Sequence, residues 1–152
     1  MDSSLSVDRV LAPVDGTDES LDAVEYAVAI ADRYDASLQA LYVLDRELVR
    51  AIENGAIDTT AVAEDNRTFL QEVRRRAAKA DVPVDTMIAY GFSTTRKTRH
   101  PGSVVLDSAE DVRADFIVIP REPPREQEAE RGMLAKAAEY VLLYASQPVL
   151  SV

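Results

Sequence analysis

Short apolar runs alternate along this chain with stretches whose apolar residues recur every three or four positions, and that alternation limits the fold more than any other feature. Residues 7–14, ending Val10-Leu11-Ala12-Pro13-Val14, read as a strand apolar on both faces near its end, as a buried parallel strand requires. Asp15-Gly16-Thr17 breaks the chain. Thr17 suits a helix N-cap, and Asp18 and Glu19 sit in the electropositive first turn. Leu21, Val24, Val28 and Ala31 then form one stripe up to about Tyr34. Residues 37–43 read as a second strand. The pattern weakens over 44–60, where a short helix over 46–52 is expected to end at Asn54-Gly55.

A long helix follows, with Val62, Phe69, Leu70, Val73 and Ala77 on one face and Arg74-Arg75-Arg76 mostly outside it. A third strand is expected over 82–90. Ser103 then suits the cap of a helix carrying Val105, Ala109 and Val112 inward. Residues 116–119 form a fourth strand. A last helix over 132–144 has Leu134, Ala138, Val141 and Leu142 as its stripe, and residues 149–152 close the series as a fifth strand. Strands alternating with helices imply parallel pairing through right-handed crossovers, hence a doubly wound α/β sandwich in a single domain over 1–152. In such sheets ligands bind beyond the carboxyl ends of the strands, where the strand order reverses.

Composition removes several functions. The 152 residues are 47% hydrophobic, enough for one core, and no apolar run approaches the ~18 residues that span a bilayer. The first residues lack the basic flank and apolar stretch of a signal peptide, so a cytoplasmic location is expected. With no cysteine and one histidine, His100, thiolate and multi-histidine metal sites are excluded within one chain. A formal net charge of -10 repels nucleic acid and anionic membranes. Lysine stands only at positions 79, 97 and 136. An acidic, lysine-poor surface is what a high-salt, halophilic cytoplasm favours; an ordinary acidic protein is the alternative.

The fourth strand leads into Pro120-Arg121-Glu122-Pro123-Pro124, with no glycine before Gly132. A phosphate-binding loop in this position needs backbone N–H groups close to the ligand, which glycine permits. Proline removes both the donor and the conformational freedom. The position suits a nucleotide; the residues do not.

Over nearly its whole length the chain resembles the universal stress protein family. The resemblance rests on Val10-Leu11-Ala12-Pro13-Val14-Asp15-Gly16-Thr17-Asp18-Glu19-Ser20, on Ala114-Asp115-Phe116-Ile117-Val118-Ile119, and on Glu139-Tyr140-Val141-Leu142 with the ending Ser146-Gln147-Pro148-Val149-Leu150-Ser151-Val152. It implies strand order 3-2-1-4-5 and a cleft between strands one and four. ATP-binding members carry Gly-x-x-Gly, nine residues, then Gly-Ser or Gly-Thr. Counted forward, those glycines fall here at Pro120, Pro123 and Met133. Counted back from Glu139, the last falls at Ala135, with Lys136 at the hydroxyl position. The mismatch implies a small insertion and a dismantled phosphate cradle, so no cofactor is expected and ATP is disfavoured. The remaining, vestigial cleft is expected to comprise Pro13, Val14, Asp15, Val43, Pro120 and Arg121. Asp15 has two readings, a ribose contact or a helix starter, and one carboxylate can serve both.

A second departure from the family follows strand three. Arg96, Lys97, Arg99 and Ser103 gather near a helix start and suggest an anion site, with a solvated or partner-facing loop as the alternative. His100 is expected to be a loop residue without catalytic role, and Tyr140 and Tyr144 to be packing residues. Arg74-Arg75-Arg76 is expected to be a solvated face neutralising carboxylates. The family also pairs last strands across a two-fold axis, which here implies a homodimer through Val149, Leu150 and Val152. The leading expectation is a non-enzymatic stress-response or regulatory protein acting through dimerisation and contacts with an unknown protein or a small ligand. The alternatives are a regulatory domain binding a nucleotide or anion through Asp15 and the 96–103 loop and, last, a hydrolase or nucleotidyl-transferring enzyme on the same fold.

Overall fold

The computed structural model describes residues 6–44, 50–51, 53–55, 58–90, 100–121 and 133–152. Its elements run β1 (Arg9–Val14), α1 (Asp18–Tyr34), β2 (Ser37–Leu44), α2 (Thr59–Lys79), β3 (Val84–Tyr90), α3 (Pro101–Asp111), β4 (Phe116–Ile119), α4 (Met133–Tyr144) and β5 (Val149–Ser151). Arg50, Ala51 and Glu53 are helical and lead into the turn at Asn54-Gly55. All strand pairs are parallel, in the order β3-β2-β1-β4-β5. The expected order holds.

Two apolar clusters cover the two faces of the sheet. Val10, Ala12, Val14, Leu38, Ala40 and Tyr42 pack beneath α1 and α2; Leu11, Leu41, Val43, Ile117 and Ile119 pack beneath α3 and α4. The period-2 alternation within β1 and β2 thus feeds both layers, which is why these strands read as nearly continuous apolar runs. The α1 stripe buries Val24, Val28 and Ala31, and α2 buries Leu70, Val73 and Ala77.

Three expectations are corrected. Leu142, assigned to the buried stripe of α4, is 52% exposed, because the core-facing arc of that helix is filled by Leu134, Ala137, Ala138 and Val141. The cap of α3 is His100, not Ser103: its Nδ1 accepts from the Gly102 N–H at 3.0 Å, and Pro101 takes the first helical position, where no N–H is needed. Strand β3 begins at Val84, two residues later than expected, after Val82-Pro83 has served as the connection. Side-chain packing of Val62 and the placement of Gly132 fall outside the described residues.

The arginine face of α2 is a charge network. Glu72 accepts from Arg75 and Arg76, and Arg76 also reaches Glu25 on α1, joining the two helices. Hydrogen bonds from Arg75 and then Arg76 hold the Glu72 carboxyl at about 2, below its ordinary 4.5. A depressed carboxylate stabilises the fold above its unfolded pKa and loses that contribution as pH falls through the folded one. Acid unfolding is therefore expected to contain a component between about pH 4.5 and about 2 that disappears in Glu72→Gln, read as a flatter stability–pH curve.

Candidate functional site

The strand order reverses between β1 and β4, although all strands run parallel, and two prolines shape that seam. Arg9 accepts from the Asp115 N–H through its carbonyl at 2.8 Å, so Arg9, and with it Leu11 and Pro13, turn their backbone polar groups towards β4. Asp8, one residue out of phase, accepts from Ser37 on the β2 side at 3.0 Å. The β1–β4 register is Val10 with Phe116 and Leu11 with Ile117. Continued one step, the ladder calls for a Pro13 N–H to the Val118 carbonyl and a Pro120 N–H to the Pro13 carbonyl. Neither N–H exists. Pairing of β1 with β2 runs on to Val14 and Tyr42, whereas the recorded pairing with β4 stops at Leu11.

Beyond the seam, Pro13, Val14, Val43 and Pro120 are buried, Asp15 is half-buried and Arg121 is exposed. The expected cleft residues do not all face one way. Val14 packs in the cluster under α1, and Val43 in the cluster under α3 and α4. The Arg121 N–H donates to the Val152 carbonyl at 2.6 Å, in the continuation of the β4–β5 ladder. Of the first two loop residues, therefore, one has no N–H and the other has spent it.

Asp15 serves its own loop. Its Oδ1 accepts from the Thr17 N–H at 3.2 Å and from the Thr17 hydroxyl at 2.5 Å, while the Thr17 Oγ1 caps α1 by accepting from the Ser20 N–H at 3.2 Å. The helix-starting role is thus present, and Oδ2 takes no recorded bond from the described residues. Gly16 carries a φ of +84°, and its missing Cβ makes room for the Tyr42 hydroxyl. Burial, then the carboxylates of Asp15 and Asp65, push the Tyr42 phenol up, so it stays a neutral donor.

Of the other expected site, only the residues from His100 onward are described. At the start of α3 the Gly102 N–H goes to the His100 ring, and the Ser103 N–H to the His100 carbonyl at 2.9 Å. The imidazole stacks on Tyr140 of α4, with centroids 4.4 Å apart and planes at 17°, and Tyr140 meets Tyr144 at 4.7 Å. These amides are engaged by His100 itself. Arg96, Lys97 and Arg99 lie outside the described residues. Sequence reading missed His100 as a cap and Tyr42 as the neighbour of Gly16; for His100 the usable signal was Pro101 directly behind it.

A doubly wound α/β protein whose strand order reverses between β1 and β4, where such folds bind their ligands, is the class defined by this fold. The universal stress protein family model matches residues 6–152, and the chain belongs to that family. It is 29% identical over 147 residues to a universal stress protein of Methanocaldococcus jannaschii, covering 95% of this chain and 81% of that one. Among solved structures, the universal stress protein UspA from Lactobacillus plantarum superposes with a TM-score of 0.68 at 25% identity, covering 98% of this chain and 99% of that one. A universal stress protein in complex with cAMP superposes with a TM-score of 0.65 at 19% identity, covering 97% and 98%. Among the described residues, no helix is long and apolar enough to cross a membrane, and no acidic or histidine group could hold a metal ion.

Proposed function

We propose that this universal stress protein is a non-enzymatic regulatory member whose crevice has given up the triphosphate. The observation that carries this is the start of the loop after β4: Pro120 has no N–H, and that of Arg121 is engaged by Val152. Each backbone hydrogen bond to a charged phosphate is worth about 1.5–3 kcal/mol, so losing two weakens ATP binding by orders of magnitude. Titration calorimetry with ATP at physiological salt is expected to give an affinity weaker than micromolar; sub-micromolar binding overturns the reading.

A second copy of the chain is the partner this surface favours. Leu142, Leu143 and Tyr144 are 52%, 68% and 64% exposed at the end of α4, and Val149 and Leu150 of the edge strand β5, with Val152 after it, are half-buried. Residues 140–152 hold no charged side chain in a chain of net charge -10, so this is a face on which two copies approach without side-chain repulsion. Light scattering is expected to report a dimer that Leu150→Lys converts to a monomer. A monomeric unmodified protein across dilution, in high and low salt, removes the proposed seam.

A further inference from the structure

His100 is the one histidine of the chain, and it holds a place that only a neutral imidazole can hold. Its Nδ1 accepts from the Gly102 N–H at 3.0 Å in the first turn of α3, so the ring proton sits on Nε2. A second proton goes to Nδ1, the atom that makes this bond. The imidazolium has two N–H groups and no acceptor, so Nδ1–H then points at the Gly102 N–H. It also sets a positive charge on the positive end of a helix dipole. Serine at the same position would cap α3 without either conflict.

The cap is also a joint between two helices. The imidazole lies on the Tyr140 ring of α4, with centroids 4.4 Å apart and planes at 17°, and Tyr144 backs Tyr140 at 4.7 Å. Gly102 is buried against the same ring, where a Cβ would stand 2.6 Å from the nearest ring atom. Few charges surround this unit. The first turn of α3 has no acidic side chain, and its first carboxylate, Asp107, comes about two turns on. On α4 the facing group is Tyr140, with Lys136 one turn before it in sequence and Glu139 exposed. Arg96, Lys97 and Arg99 precede His100 outside the described residues. Among the described residues, no ion pair holds the ring in place.

We infer that His100 is a proton-operated latch between α3 and α4: neutral, it closes the first turn of α3 against Tyr140, and protonated, it gives up the cap and loosens that turn. Imidazole is the side chain whose ordinary titration falls between about pH 5 and 8, so the latch works across neutral and mildly acid pH. Stacking does not oppose the release. A half-turn of the ring about its Cβ–Cγ bond keeps its face on Tyr140, with the cation–π attraction of the charged form, and carries Nδ1 away from Gly102. The start of α3 follows β3 and lies at the carboxyl end of the sheet, the end at which doubly wound folds bind ligands. The latch gives that end a response to pH, whatever becomes of the triphosphate.

Amide exchange and imidazole resonances, measured by NMR on the full chain, read the cap and the proton separately. As the single histidine, His100 reports its own charge directly. Protection of the Gly102 amide, corrected for the intrinsic pH dependence of exchange, is expected to fall roughly tenfold as the ring takes up its proton between about pH 8 and 5. Protection in the middle of α1 should not change. His100→Asn keeps a capping oxygen that does not titrate, and is expected to hold Gly102 protected throughout. His100→Ala has no cap, and is expected to leave Gly102 roughly tenfold less protected at every pH. A ring charged by about pH 5 with Gly102 still protected overturns the inference. So does a ring that stays neutral over that range, or a pH-dependent Gly102 in His100→Asn.

Discussion

Replacing Ile119 with alanine is expected to remove about 2–5 kcal/mol of stability. Ile119 is fully buried at the carboxyl end of β4, within the cluster formed by Leu11, Leu41, Val43, Leu134 and Val141. Removal of its outer carbons costs their transfer free energy and leaves a cavity, because the neighbouring β1 and β5 backbones are fixed by the sheet and cannot close in. A domain of this size has about 5–15 kcal/mol in all, so the loss is a large share. Urea unfolding followed by circular dichroism is the measurement. The midpoint should fall with the slope unchanged. A loss below about 1 kcal/mol would mean that the site collapses freely, contrary to the burial seen there.

The same residue shows why the fold was legible and the site only partly so. Phe116–Ile119 is a four-residue apolar run, and the structure gives a strand with those bounds, because a strand buried on both faces has no other use for such a run. Thr17 and the α1 stripe were equally readable, since caps and periodicity are local signals. His100 was not, because it caps from a position where serine or aspartate is the usual choice, and its stacking partner Tyr140 is 40 residues away in sequence. Leu142 was misplaced because periodicity gives a stripe its direction but not its width; that width depends on how near the helix lies to the edge of the sheet. Pro13 and Pro120 were both noted in the sequence, yet their joint effect depends on register. Only the pairing of Leu11 with Ile117 shows that both missing N–H groups fall on one seam.

Gly16→Ala is expected to cost roughly 2–4 kcal/mol, although it adds a single methyl group. Two independent penalties combine. The backbone at Gly16 has φ +84°, a conformation that disfavours any side chain. The added Cβ would also stand 2.7 Å from the Tyr42 hydroxyl. An exposed tyrosine would swing aside at little cost. Tyr42 is 7% exposed and held edge-on against Phe69, with ring centroids 5.9 Å apart, so its ring cannot rotate away without disturbing α2. The strain therefore falls on the Asp15-Gly16-Thr17 loop, whose hydrogen bonds start α1 and orient the Asp15 carboxylate. The double variant Gly16→Ala with Tyr42→Phe separates the two penalties. Removing the hydroxyl takes away the close contact and should recover about 1 kcal/mol or more, leaving the backbone cost in place. Equal stabilities for the single and double variants would show that φ alone sets the cost, and that Tyr42 does not constrain the loop.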